Sequence, residues 1–525
     1  MLLGGADMEL AAQTPDWLWA QAAGGASIEQ CADLAVDSTG NSIVVGYFFG
    51  TATFGSTTLT SSSSGGGVNY SDIFVAKMDA SGHWLWAKRA GGTNSDNALS
   101  IALDDDGNSY VTGFFQSSAD FGSHTLQCTP SGLSGTIKSD IFVAKLDPSG
   151  KWLWAIQAGG ADSESGCGVA VDKGGASLVT GWFKGVTWFG TNSLTSRGDD
   201  DIFVAKLDAA GTNWLWVRQA GAAKSDRGQG IALDAAGNSH ISGYFQSTAS
   251  FGTNTLTSAG GYDAFVSKLD VDGNWLWARQ AGGASDDISY DIVVDDTGDA
   301  HVTGSFYGNA TFGPTSLTGS GSDDVFVGCL DSAGNWRWAQ RAGGTGLDVG
   351  LGIALDGARN TLVIGGYVGT SRFGTNTLIS SGGRDIFVAK TDASGNWLWA
   401  QRAGGNGADF GTAIGVDGTG NGHAAGYFEG TAAWGSMALT SIGASDVFVA
   451  ALRVAGLTTP VVSIRLYGNT PVLSWAAVPG AVSYNVYGSM DPSSSYSLLT
   501  STNTTTYSHT GTEPRMFFKV SATTP

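Results

Sequence analysis

The feature that most constrains this chain is that it repeats itself. An Asp-Ile-Phe-Val-Ala-Lys-Leu-Asp run, a glycine and a Trp-Leu-Trp-Ala run, seen clearly between Asp140 and Ala155, return along most of its length. Paired tryptophans begin at Trp17, Trp84, Trp152, Trp214, Trp275, Trp336 and Trp397, and the aspartate opening the valine-rich run stands at Asp72, Asp140, Asp201, Asp263, Asp324, Asp385 and Asp446. Spacings of 61 to 68 residues give each copy room for one supersecondary unit. In the copy that begins at Trp214, four strand-like runs (Trp214 to Ala220, Gly230 to Asp234, Ser239 to Phe245, Asp263 to Leu269) are divided by turn signals such as Asp234-Ala235-Ala236-Gly237-Asn238. Four short strands in a meander, seven times over, predict an all-β chain whose residues 15–453 form a seven-bladed β-propeller of four-stranded antiparallel blades.

Side-chain size agrees. Blades that radiate from an axis leave a gap that widens outward, so the small Gly-Ile-Ala-Leu runs belong inside and the tryptophan pairs, which hold 14 of the 18 tryptophans, belong at the rim. The chain enters the repeats on an outer run, Trp17 to Ala22, and leaves them on a third run, Asp446 to Leu452. The first run is therefore expected to supply the last blade's outer strand, removing the open edges that invite aggregation.

Composition narrows the partners. A formal charge of −20 opposes nucleic acid, which is bound through lysines and arginines that neutralise phosphates. No apolar run is long enough to span a bilayer, so membrane insertion is not expected. Cys31, Cys128, Cys167 and Cys329 fall in separate copies without CxxC spacing, which predicts free thiols rather than a disulfide framework or zinc site. Met1 to Gln13 carries no lysine or arginine and does not read as a secretory signal as written, so export by another route or from a longer precursor is expected.

The Phe251-Gly252 pair with Leu256, the Asp-Ile-Phe-Val-Ala-Lys-Leu-Asp run and the Gly395 to Ala400 join resemble the bacterial seven-bladed propeller repeat family known as SBBP, over about residues 15 to 453. The resemblance implies a propeller fold and an extracellular or cell-surface setting, and brings no shared catalytic residues. After Leu452 and a Thr458-Thr459-Pro460 linker, residues 461–525 alternate as sandwich strands do. This tail resembles a fibronectin type III module, with Trp475, Tyr484 and Val486 at core positions, although Pro525 follows Phe517 to Ala522 too soon for a full seventh strand.

Two acidic series recur. Twelve residues after each first tryptophan stand Glu29, Asp96, Glu164, Asp226, Asp287, Asp348 and Asp409, and twenty after it Asp37, Asp104, Asp172, Asp234, Asp295, Asp356 and Asp417. Flanking the innermost strand, they are expected to form rings near the ends of the channel. Asp96, Asp226, Asp287, Asp348 and Asp409 are candidate Ca²⁺ ligands at the channel mouth, since calcium takes six to eight oxygens; the alternative is that each carboxylate accepts backbone N–H groups in its own turn. No cofactor is otherwise required. His240 and His301 share one slot in adjacent copies and read as packing residues. No Gly-x-Ser-x-Gly elbow or phosphate loop is present.

Asymmetry is confined to one loop type. The interval from the Phe-Gly position to the next aspartate is 12 in five copies but 18 and 19 in the first two, so Leu59 to Ser71 and Leu126 to Ser139 carry the insertions, and Asn69 and Tyr70 are the candidate contact residues there. The expected function is a monomeric, non-enzymatic scaffold or binding protein for adhesion or for recognition of a glycan or protein ligand. Alternatives are an enzyme of lyase or glycosidase type at the channel mouth, or a self-assembling structural subunit. A pair of nonrepeated carboxylates facing the channel with a His or Arg would favour the enzyme, and spacing reveals none.

Overall fold

The computed structural model describes residues 15–62, 70–130, 137–453, 462–467, 470–475, 483–490, 496–510 and 517–523. The chain divides into two units, one of Asp16–Gly418 with Gly422–Leu452, the other holding Arg453–Pro525. The regular elements among the described residues are all β-strands.

The repeating unit is an antiparallel sheet. In the second copy the innermost strand Asn97–Leu103 pairs with Ser109–Gln116, that with Ser139–Leu146, and that with the outer strand Trp152–Gly160. The register sets Ala102, Tyr110, Lys145 and Trp154 in one transverse row, small at the inside and bulky at the outside. Ile141, Phe142, Val143 and Ala144 are all fully buried, as in a sheet covered on both faces. The turn into the outer strand is closed by Asp147, whose carboxylate accepts the N–H groups of Ser149 and Lys151, and Gly150 supplies the left-handed φ of 81°.

Each copy also holds two short strands that the four-strand expectation lacks. Ser118–Phe121 and His124–Gln127 form a hairpin around Gly122 and pair, through Ala119 and Asp120, with Gly92 and Gly91 of the preceding outer strand. Its inward residue Phe121 stands edge-on to Trp152 at 5.2 Å and lies 4.9 Å from Phe142. The hairpin is thus hydrogen-bonded to one sheet and packed into the next, and the arrangement recurs with Phe54, Phe189, Phe251, Phe312 and Phe373. In three copies the hairpin strands run on from the second and third strands, as in Ser239–Phe251 and Asn254–Leu269.

The innermost strands are Glu29–Val36, Asn97–Leu103, Ser165–Val171, Arg227–Leu233, Asp287–Val294, Val349–Leu355 and Phe410–Val416. Each touches the next in that order, and Phe410–Val416 touches Glu29–Val36. Trp17–Gly25 pairs antiparallel with Asp446–Arg453, from Trp17 opposite Leu452 to Ala23 opposite Val447, so the start of the repeats provides the outer strand of the last sheet. The second tryptophan of a pair reaches the following copy: the Trp19 indole N–H donates to the Ala80 carbonyl at 3.1 Å, as Trp86 does to Pro148 and Trp216 to Val271 at 3.2 Å.

In the other unit, Val462–Tyr467, Thr470–Trp475 and Thr506–Ser508 make one three-stranded sheet, and Ser497–Thr502, Ser483–Ser489 and Phe517–Thr523 another. Leu473, Trp475, Tyr484, Val486 and Val520 form its buried core, including the three core residues expected from sequence.

Candidate functional site

The acidic series that precedes the innermost strands is fully buried and does not line the cavity between those strands. Each member accepts the N–H of the residue four positions earlier: Gly25 donates to Glu29 at 2.7 Å, Gly92 to Asp96 at 2.6 Å, Gly160 to Glu164 at 3.2 Å and Ala222 to Asp226 at 2.8 Å. Gly283, Gly344 and Gly405 do the same for Asp287, Asp348 and Asp409 at 2.6, 2.7 and 2.7 Å. Beside each lies the aspartate that opens the preceding third strand, with a glycine between: a Cβ on Gly91 would stand 2.9 Å from both Asp72 Cγ and Asp96 Oδ2. Oδ1 of Asp72, Asp201, Asp263, Asp324, Asp385 and Asp446 is buried without a hydrogen-bond partner.

Two carboxylates so placed cannot both stay charged cheaply. Burial pushes Asp96 up to about 8, Glu164 to about 9, Glu29, Asp226 and Asp287 to about 7 and Asp409 to about 6, with the neighbouring aspartate adding to the rise. In three pairs an arginine already sits on the aspartate, Arg89 on Asp72 at 3.1 Å, Arg341 on Asp324 at 3.8 Å and Arg402 on Asp385 at 2.7 Å; a proton shared within the pair or a bound cation are further ways to neutralise it.

The second acidic series sits in Asx-turns. Asp234 accepts the N–H of Ala236 and Asn238 and pairs with Lys268 at 2.9 Å; hydrogen bonds from Asn238 and Lys268 outweigh the effect of burial and hold it at about 2. Equivalent lysine pairs join Asp37, Asp104, Asp172 and Asp356 to Lys77, Lys145, Lys206 and Lys390. His240 and His301 are buried against Trp277 and Trp338, and His423, which the sequence reading did not group with them, fills the same slot against Trp19.

A cavity of about 410 Å³ lies among the innermost strands. Each of these strands carries a β-bulge, and the extra residues, Ala32, Leu99, Cys167, Gln229, Tyr290, Leu351 and Thr412, line it. Asp33 and Asp291 line it too, so the structure does supply the nonrepeated carboxylates that spacing did not reveal. Both are spent on backbone: Asp33 accepts the N–H of Leu34 and of Ile101 in the next copy, and Asp291 that of Ile292 and of Ile353. Ser100 does the same job, accepting the Val169 N–H at 3.2 Å. Burial first, and then Asp33, raises Asp291 to about 7. No Lys, Arg or His lines this cavity.

Where the innermost strands begin, half-buried aromatic side chains gather. Opposite Gln30, Asn97, Ser165, Arg227, Ile288, Val349 and Phe410, one equivalent position per copy, stand Tyr47, Phe114, Trp182, Tyr244, Ser305, Gly366 and Tyr427. The five aromatic ones are half-buried, and their signal was present in the sequence as a repeated Gly-aromatic-Phe triplet. Arg227 stacks over Trp182 at 4.4 Å and is neutralised by Asp200. Arg384 occupies Asp200's position three copies on. Its guanidinium lies 4.4 Å over Phe410, which stacks on Tyr427 at 4.8 Å, and its Nε is buried with no hydrogen-bond partner.

Of the contact residues expected from the insertions, Asn69 lies outside the described residues. Tyr70 is half-buried directly before Ser71–Met78. Ser62, the last described residue before the insertion's undescribed part, donates its N–H to Asp72 at 2.9 Å.

Residues 85–113 and 276–308 match the SBBP family, described as a β-propeller repeat. Among curated proteins the chain is similar to an uncharacterised WD repeat-containing protein of Acanthamoeba polyphaga mimivirus (25% identity, 76% of this chain, 35% of that protein) and to the regulatory protein FlaEY of Caulobacter vibrioides (28%, 60% and 35%). The chain thus spans about a third of the length of these relatives. Solved structures with partial likeness include a europium-containing methanol dehydrogenase (TM-score 0.33, 10% identity, 81% of this chain, 87% of that one) and a puromycin hydrolase (0.37, 10%, 85% and 59%). The repeat matches and the strand pairing together support a β-propeller repeat protein. Among the described residues no helix is long and apolar enough to cross a membrane.

Proposed function

We propose that this chain is a non-enzymatic recognition scaffold, a closed seven-bladed propeller carrying a fibronectin type III-like module, that works outside the cell or on its surface and binds a glycan or protein ligand as a monomer. Support for closure comes from the cyclic order of contacts among the innermost strands and from the Trp17–Gly25 pairing. Support for recognition rests on one observation: half-buried Tyr47, Phe114, Trp182, Tyr244 and Tyr427 recur at one position beside the first residues of the innermost strands, giving large contact area at low entropy cost. Repeat relatives with a regulatory or WD-repeat name agree with an interaction role. A glycan array probed with the intact chain tests the reading: saturable binding weakened by Trp182→Ala or Tyr427→Ala is expected, and an array without hits, together with no protein partner, rejects it.

The enzyme alternative has its carboxylates, Asp33 and Asp291, but these already hold adjoining strands together. The cation alternative for Asp96, Asp226, Asp287, Asp348 and Asp409 is tested by calorimetry of the whole chain with Ca²⁺. No heat at millimolar calcium leaves a shared proton, with the arginines beside Asp72, Asp324 and Asp385, as the neutralising agents.

A further inference from the structure

Arg384 is the departure from repetition that best names a ligand. At the position shared by Tyr47, Phe114, Trp182, Tyr244 and Tyr427 five copies carry an aromatic residue, but the sixth carries Gly366, opposite Val349. A Cβ there would stand 2.5 Å from Arg384 Cδ, so the missing side chain is what lets the arginine lie across the sheet. The guanidinium then rests on Phe410 within cation–π range. Its neighbours include Tyr427 and the cavity-lining Tyr290, and Asp323 and Asp348 are within electrostatic reach without pairing to it. Asp348 is already committed to the Gly344 N–H and the Ser371 hydroxyl. At the matching junction three copies earlier, Asp200 neutralises Arg227 outright. A half-buried guanidinium with no carboxylate against it among the described residues and a buried, unbonded Nε is unfavourable, and the donors a ligand can reach are on its outer, Nη side.

We propose that this end of the cavity binds the carboxylate of an acidic saccharide, with Arg384, backed by Phe410, taking the carboxylate in a forked hydrogen bond and Tyr427 and Tyr290 covering the sugar ring. The inference rests on the recognition reading above and specifies its ligand class. A carboxylate matches the fork of one guanidinium, whereas phosphate-rich polymers call for several cations that this mouth does not have. Sugar rings present an apolar C–H face edged with hydroxyls, which tyrosine meets with an apolar face and a phenol. The chain's net charge of −20 does not forbid an anionic ligand, because exposed charges are screened beyond about 8 Å at physiological salt.

The experiment is titration calorimetry of the full chain with a panel of uronate trisaccharides and their methyl esters, which differ only in the charge that Arg384 would read. At least one acid is expected to bind tenfold or more tightly than its ester. Arg384→Gln should remove that preference while leaving ester binding in place, and Gly366→Tyr, which displaces the arginine, should do likewise. Arg372→Gln, the same charge change on an exposed hairpin, should retain the preference. Equal binding of acids and esters by the unaltered chain overturns the proposal, and that comparison stands even if a variant fails to fold. Retention of the preference in Arg384→Gln also overturns it. Neutral-glycan or protein binding without acid preference sinks this inference alone, whereas absence of all binding sinks the recognition reading with it.

Discussion

Gly273 and Gly308 both adopt left-handed φ, 80° and 78°, but in different surroundings. A Cβ at Gly273 would stand 2.8 Å from the Trp216 ring, while at Gly308 nothing lies within 4 Å. Gly308→Ala is therefore expected to cost only the backbone term of about 1 kcal/mol, and Gly273→Ala a further ~1–3 kcal/mol from overpacking against the indole. Urea denaturation of the two variants measures the difference, which reports how closely the Trp216 ring is packed on the next copy's turn. The Asp-x-x-Gly turns themselves were legible, because Asx-turn chemistry is local and leaves a fixed spacing. Tyr290 and Arg384 were not. A bulge that turns Tyr290 into the cavity, and an arginine that reaches over Gly366 to Phe410, depend on strands distant in sequence, so no local pattern announces them.

At the level of the element, the four-residue hairpin strands are the clearest gap between sequence and structure. Thr51–Phe54 alternates between exposed threonine and buried Ala52 and Phe54, but it is too short to register as a strand by periodicity. It is stabilised instead by what it touches. Phe121→Ala, which empties a fully buried site between Phe142 and Trp152, is expected to cost about 3–5 kcal/mol, read as a lowered urea midpoint. The longer strands were readable because both faces are covered, which makes Ile141 to Leu146 almost continuously apolar. Removing residues 1–24 takes away most of the partner of Asp446–Arg453 and bares its edge. A sharply lower melting temperature with aggregation is the expected result, measured by calorimetry and light scattering.

For the molecule as a whole, acidity is the telling variable. Glu29, Asp96, Glu164, Asp226, Asp287 and Asp409 titrate at about 6 to 9 when folded, above their ordinary carboxylate values near 4. The folded state therefore binds more protons than the unfolded state between about pH 4 and 9. Stability from these groups is full below the ordinary carboxylate range and is lost as pH rises through the folded values. His240 and His301, held down at about 4 by burial, act in the opposite sense between about pH 4 and 6.5, but they are two against many. Below pH 4 the Asx-turn carboxylates, such as Asp234 at about 2, lose their bonds. The melting temperature is expected to be higher at pH 5.5 than at pH 8 and to fall again below pH 4; a flat or rising profile from 5.5 to 8 would contradict the burial of these pairs. The pairing of Trp17 with Leu452 has a further consequence. During synthesis the opening strand leaves the ribosome more than four hundred residues ahead of its mate, so the final sheet must be the last to finish, and until then one sticky border waits. Transplanting residues 16–25 to follow residue 453 by circular permutation would end that wait, and should give the same fold with faster completion.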